Sequence, residues 1–200
     1  MATATLSYPV QSAEFRYPPP QGEWTFDDYL EFIPDGPERY EIIEGHITMM
    51  AAPTPTHQRI VGNIHGELWL RIRNKELLGE VFVAPIDVVM SDIASPVQPD
   101  VCFIAADNTH AKVERTYIRG VPDLMVEVLS SDKRRDRVDK FYAYSKAGVS
   151  EYWIVDPEKE SVVVYVLRGQ AFVPLGVFKG KMLVRSEVIG GWTVSAETLF

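Results

Sequence analysis

The chain has 200 residues, of which 46% are hydrophobic and 24% charged, with a formal charge of −8 and one cysteine. That length supports one α/β domain with a substantial core. The single cysteine excludes an internal disulfide framework and a Cys-based zinc site. The acidic balance counts against non-specific affinity for nucleic acid, which depends on Lys and Arg facing phosphates, but leaves room for a local basic patch.

Residues 1 to 22, polar and carrying Pro18-Pro19-Pro20, read as an extended tail ahead of one folded region spanning 23–200. The first residues, Met1 to Leu6, have neither a basic nor a long apolar stretch, and no later run approaches the roughly 20 apolar residues of a membrane helix. The expectation is a cytoplasmic protein with no membrane partner. Thr25 predicts the N-cap of a short helix over Phe26 to Phe32, with acids in its first turn where the helix dipole favours them, and Pro34 to Pro37 stops it. Arg39 to Ile43 and His46 to Met50 predict two strands joined at Glu44-Gly45. Thr54-Pro55 opens a helix with a capping hydroxyl followed by proline. Ile60, Val61, Ile64, Leu68 and Ile72 recur at helical spacing and carry it to about Leu78, before Gly79.

Glu80 to Met90 reads as a strand, as does the segment after Gln98, and the polar stretch 106–120 reads as loop or short helix. A strand up to Leu129 is followed by a helix capped at Ser130 or Asp132, running to about Ala147 and closed by Gly148. Glu151 to Val155, a turn at Asp156-Pro157, Ser161 to Leu167 and further short strands complete the chain. The strand–helix–strand return implies a crossover and a mixed sheet, and helices laid on that sheet make a layered α/β domain.

Two acids sit where acids are costly. Asp100 interrupts the apolar run from Gln98 to Ile104, and Glu127 interrupts the run from Pro122 to Leu129. Alternation puts Asp100 on the face of Cys102 and Ile104, and Glu127 on the face of Met125 and Leu129. Where those faces meet, two carboxylates can share one divalent ion, and hard oxygen donors suit Mg²⁺ or Mn²⁺. Taken singly, each acid can instead be an exposed strand end or an arginine's partner. Glu41, mid-strand on the face of Ile43, and Asp87, within Val83 to Val89, are further acids on apolar segments; Glu41 is a candidate site residue, and Asp87 is a site residue, half of an ion pair or a capped strand end. His57, in the first turn of the long helix, is a general acid/base or phosphate contact, or a capping residue; its spacing to His65 is poor for zinc. The basic run Lys133 to Lys140 reads as a solvated helix face with Asp136 and Lys140 paired at i,i+4. Tyr144, Tyr152 and Trp153 read as core, Cys102 as a small buried side chain, and Tyr165, Phe172 and Phe178 as a surface that could support a homodimer.

These residues carry a resemblance. Pro99-Asp100 followed by Glu127-Val128-Leu129 resembles the Pro-Asp…Asp/Glu-x-Lys motif of the restriction-endonuclease-like superfamily. Tyr40 to Gly45, Gln98 to Asp100, Val126 to Ser130, Arg135 to Lys140 and Ala147 to Pro157 are together similar to the Uma-type endonuclease family, once a family of unknown function. The resemblance implies a restriction-endonuclease-like fold: a mixed central β-sheet flanked by helices, with an N-terminal hairpin and C-terminal short strands. It also implies a Mg²⁺- or Mn²⁺-dependent endonuclease acting on nucleic acid, DNA first. The metal would be held by Asp100, Glu127 and the carbonyl of Val128, and Glu41 would be the extra N-terminal acid.

The chain departs from the superfamily motif at Leu129, where the motif has lysine. An aliphatic side chain cannot polarise a water or steady a developing negative charge. The resemblance supplies the lysine from the following helix at Lys140, with Lys133 as its substitute. One fold hosts many roles, so a catalytically inactive binding or assembly module is the alternative reading.

Overall fold

The two apolar segments that carry Asp100 and Glu127 form the middle of a six-stranded sheet. In the computed structural model, residues 16–34, 36–91, 93–130 and 134–200 are described. The strands of this sheet are β3 (Gly79–Val83), β5 (Val101–Ala105), β8 (Leu124–Val128), β9 (Glu151–Asp156), β10 (Ser161–Arg168) and β11 (Ala171–Lys179). Their spatial order is β11-β10-β9-β8-β5-β3. Within this sheet only β8 and β9, among the described residues, run parallel, and the helix α3 (Lys140–Ala147) lies between them in the chain, so the sheet is mixed as expected. Gly148 closes α3 in the left-handed conformation (φ 93°), which glycine adopts without a side-chain clash.

Alternation loads both faces of the sheet. Val101, Phe103, Leu124, Val126 and Val128 pack with Ile60, Ile64 and Leu68 of α2 (Pro55–Arg73). Cys102, Ile104, Met125 and Leu129 pack on the other face with Ala143 and Tyr144 of α3. A sheet covered on both faces explains why β8 and β9 are buried along their whole length. Thr25 caps α1 (Phe26–Phe32) in a capping box with Asp28, and Thr54 caps α2 ahead of Pro55. No helix among the described residues is long and apolar enough to cross a membrane.

The hairpin of β1 (Arg39–Ile43) and β2 (His46–Met50) docks onto the segment that leads into β5. The Ile42 N–H donates to the Pro96 carbonyl and the Ser95 N–H donates to the Ile42 carbonyl. Of the expected tail, residues 1–15 lie outside the described residues. Arg16 pairs with Asp28 and Glu31 of α1, and the Gln21 side chain bonds the backbone of Ile47.

Several expectations are corrected. The long helix stops at Arg73 rather than near Leu78, because Lys75 turns left-handed (φ 62°) and the N–H groups of Glu76 and Leu77 fold back onto the Arg71 carbonyl. The single strand expected over 80–90 is broken after Val83, where Pro85 has no N–H for a ladder. Its second part, β4 (Val88–Val89), joins another sheet. The stretch 106–120 is neither loop nor helix throughout; β6 (Ala111–Val113) and β7 (Ile118–Gly120) form a hairpin beside β4, in the order β4-β7-β6. Asp132, one of the two expected caps, lies outside the described residues. Phe172 and Phe178 are buried in the core with Tyr165 packed against it, so they do not form the apolar surface expected of them.

Candidate functional site

The antiparallel register of β5 and β8 pairs Val101 with Val126, and one step beyond that pair brings Asp100 across from Glu127. Both acids are buried and both line a cleft of about 610 Å³, together with His57, Val128, Leu129, Asp136 and Lys140. The Val128 N–H donates to Asp100 Oδ2 (2.8 Å), and His57 Nε2 approaches the same oxygen at 3.0 Å. His57 reaches it because Thr54 starts α2 at the cleft edge, with the Thr54 hydroxyl accepting the His57 N–H.

Lys140, at the start of α3, enters the cleft wall and is 1% exposed. Its Nζ lies 2.9 Å from Glu127 Oε1, 3.0 Å from Glu41 Oε1 and 3.8 Å from Asp136 Oδ1. Tyr144, one helical turn further along α3, donates its hydroxyl to Glu127 Oε1 at 2.7 Å. Glu41 is completely buried; it accepts the Gln98 N–H on Oε1 and Arg135 Nε on Oε2. Gln98 extends this network by accepting from Arg39 Nε and donating to Asp87 Oδ1.

Charge and burial oppose each other throughout this cluster. Burial pushes the Glu127 carboxyl up; Lys140 pulls it down, but the neighbouring Asp100, Asp136 and Glu41 charges side with burial, and it ends well above the ordinary carboxylate range. Burial likewise pushes Asp136 up to about 6. For Lys140 burial disfavours the ammonium, but Glu127, Glu41, Asp136 and Asp100 together outweigh it and hold the charge more firmly than in water. Glu41 behaves oppositely to Glu127: burial raises it, but Lys140 and Arg135 overcome burial and leave it lowered. Burial pushes His57 down, and the Asp100 carboxylate with the Val128 carbonyl more than compensates, leaving it raised.

The structure therefore brings Asp100, Glu127, Val128, Lys140, Glu41 and His57 to one place. It does not bring Asp87 into the cleft. Asp87 sits behind Gln98 with the Tyr29 hydroxyl 3.4 Å away, and burial raises its pKa. Lys133 lies outside the described residues. The basic run is only in part the solvated helix face expected of it: Arg134 and Arg137 are exposed and Asp136 pairs with Lys140 at i,i+4, but Arg135, Asp136 and Lys140 are buried. A π-helical turn over Arg135–Asp139 leads into α3, and wide turns of this kind recur at functional sites. Two contributors were not expected from sequence, Asp136 and the hydroxyl of Tyr144. The spacing of 136, 140 and 144 in steps of four was the available signal, masked by the surrounding charges on one side and aromatics on the other.

The donors suit a hard divalent ion. Asp100 and Glu127 each keep one carboxylate oxygen that accepts no hydrogen bond among the described residues, and Val128 lines the same cleft. No three His, Cys, Asp or Glu side chains among the described residues converge as a ready cage. Two carboxylates and a carbonyl match ions such as Mg²⁺ that complete their shell with water, and do not match zinc.

Comparison with known proteins gives the family and the fold. The family described as "Uma2: Putative restriction endonuclease" matches residues 26–197. The uncharacterized protein sll1609 of Synechocystis sp. is 28% identical over 134 residues, covering 66% of this chain and 74% of that protein. The crystal structure of "a putative nuclease belonging to DUF820" from Anabaena variabilis has the same fold, with a TM-score of 0.71 at 22% identity over 88% of this chain and 97% of that one.

Proposed function

The chain belongs to the Uma2 family, and from that premise we propose that it is a metal-dependent endonuclease that hydrolyses phosphodiester bonds in nucleic acid, DNA foremost. The observation that carries the proposal is the placement of Lys140, buried between Glu127 and Glu41 on the wall of the cleft that Asp100 also lines. A buried ammonium between two carboxylates is costly to assemble for stability alone. Beside two acids with open oxygens it is what phosphoryl chemistry requires.

Asp100, Glu127 and the Val128 carbonyl would hold one Mg²⁺ or Mn²⁺. When bound, such an ion lowers the pKa of a water toward neutrality and offsets charge on a phosphate oxygen. Lys140 cannot serve as the base, because its neighbours keep it protonated. Its role is to donate a hydrogen bond to the attacking water or to a phosphate oxygen, in a site where that donor needs no reorganisation. Glu41 holds Lys140 in place and is itself held by Arg135 and the Gln98 N–H. Leu129 is a packing residue, 4% exposed against Met125 and Ala143, and takes no part in the chemistry.

The test is cleavage of supercoiled plasmid, linear duplex, single-stranded DNA and RNA with Mg²⁺, Mn²⁺ or EDTA, by wild type and Glu127→Ala in parallel. Cutting by wild type alone, abolished by EDTA, is the expected result. Equal cutting by both proteins overturns the assignment of Glu127. Binding without cutting by both moves the chain to the binding-module reading.

A further inference from the structure

The two acids at the centre of the cleft are held in the same way by unrelated parts of the chain. Asp100 has its Oδ2 occupied by two donors, the Val128 N–H at 2.8 Å and His57 Nε2 at 3.0 Å. Glu127 has its Oε1 occupied by two donors, the Tyr144 hydroxyl at 2.7 Å and Lys140 Nζ at 2.9 Å. In each carboxylate the other oxygen accepts nothing among the described residues. A carboxylate with both oxygens free rotates about its last bond. One with a single oxygen pinned by two converging donors presents the other oxygen in a fixed direction.

We propose that His57 and Tyr144 are a matched pair of positioning residues, each occupying one oxygen of a site carboxylate so that Asp100 Oδ1 and Glu127 Oε2 are both presented to a divalent cation. The inference rests on the endonuclease reading above and adds to it two residues outside the motif.

Tyr144 is more than core filling. It is fully buried, and its ring meets Tyr152 edge-on at 5.2 Å. The Tyr152 hydroxyl in turn donates to the Asp136 carbonyl (2.8 Å), within the π-helical turn that leads into Lys140. A phenol in this position needs an acceptor, and the one it has is the oxygen that Lys140 also uses.

His57 has a second possible role, as a ligand through Nε2, and the contact that nitrogen already makes argues against it. His57 Nε2 lies 3.0 Å from Asp100 Oδ2, and a nitrogen that donates to a carboxylate has no lone pair to give a metal.

Mn²⁺ binding, followed by the electron paramagnetic resonance of the free ion, reads the proposal without any nucleic acid. Tyr144→Phe removes only a hydroxyl. His57→Ala removes the donor, while His57→Gln keeps an N–H of similar reach. Loss of an outer partner of this kind costs on the order of 10-fold in metal affinity. Tyr144→Phe and His57→Ala are each expected to weaken Mn²⁺ binding by about that factor, with thermal midpoints confirming folded protein, and His57→Gln to recover most of the loss. Bound Mn²⁺ should show no nitrogen coupling.

Wild-type affinity in folded Tyr144→Phe or His57→Ala overturns the pairing and leaves the endonuclease reading intact. Nitrogen coupling that disappears in His57→Gln makes His57 a ligand and overturns its half. Absence of Mn²⁺ binding by wild type overturns both readings together.

Discussion

Glu127 and Glu151 are two buried glutamates on adjacent parallel strands of one sheet, and they are handled in opposite ways. Glu151 opens β9 and is completely buried, with no ion pair to a cation among the described residues. Trp153 Nε1 and the Ser186 hydroxyl both donate to its Oε1 at 2.6 Å, and the Glu187 and Val188 N–H groups donate to Oε2 at 2.7 and 3.3 Å. Both oxygens are used, and what they tie down is the C-terminal segment 186–188. Glu127, near the far end of β8, lines the cleft and has one oxygen used and one that accepts nothing among the described residues. Burial raises the pKa of both. A shifted pKa therefore does not separate a structural acid from a site acid; the count of satisfied oxygens does.

The largest effect should come from removing the charge that makes the Glu127 arrangement tolerable. Lys140→Met leaves Glu41 and Glu127 buried without their shared cation. Breaking a buried pair by removing one partner costs about 3–5 kcal/mol. Urea denaturation should register a loss of that order, and cleavage should be lost outright. Adding Glu41→Gln to this variant should recover part of the stability and none of the activity. A Lys140→Met protein as stable as wild type would mean that the cluster is more hydrated than its burial indicates.

Glu151→Ala should come next, with a loss of about 1–3 kcal/mol, because it strands the buried Trp153 donor and the part-buried donors of 186–188. Its contrast with the site is the point. Cleavage per folded molecule and Mn²⁺ affinity should match wild type, and a fall in either would mean that the two ends of the sheet are coupled.

How much of this was legible in the chain depends on the kind of signal each residue gave. Asp100 and Glu127 were visible because an acid inside an apolar run contradicts its surroundings, and period-2 alternation gave each its face; that the faces meet is a fact of strand pairing. The mixed sheet followed from one strand–helix–strand return. Lys140 came from the resemblance, since charge patterning around it indicated a solvated helix face. Its burial depends on Glu41, nearly a hundred positions earlier in the chain, and on a local π-helical turn, and neither leaves a mark in periodicity. Tyr144 was legible as core and is core; the direction of its hydroxyl is a tertiary fact. The hairpin of β6 and β7 was missed because short strands over 111–120 rely on pairing with each other and with β4, not on their own apolar pattern.

Glu127→Gln sharpens the comparison from the other side. The amide still offers an oxygen to Lys140 and Tyr144 but carries no charge, and three carboxylates remain around Lys140. Stability should be unchanged or up by about 1 kcal/mol, since the native environment disfavours the charge. Metal-dependent cleavage should disappear. Glu151→Gln at the same depth should be destabilising, because an amide cannot accept all four donors that converge on that residue.

The smallest expected effect is a slope. Asp136, Glu127 and Glu151 all have raised pKa values, so between their ordinary and raised values the folded chain binds more protons than the unfolded one, and stability climbs as pH falls. For Asp136 that window runs from 3.8 to about 6. His57 acts in the same direction: its raised pKa contributes stability that is complete below its ordinary 6.5 and is lost as pH rises through the folded value. Glu41, whose pKa is lowered, opposes them only at the acid end, where its contribution is present above its ordinary 4.5 and is lost as pH falls through the folded value. Urea midpoints should therefore be higher at about pH 5 than at about pH 8. Asp136→Asn should flatten the part of that rise that falls within its own window. A wild-type midpoint that instead increases steadily from acid to alkaline would mean that these carboxylates ionise in the folded chain as readily as in water, and the contrast between a half-satisfied and a fully satisfied buried acid would lose its energetic basis.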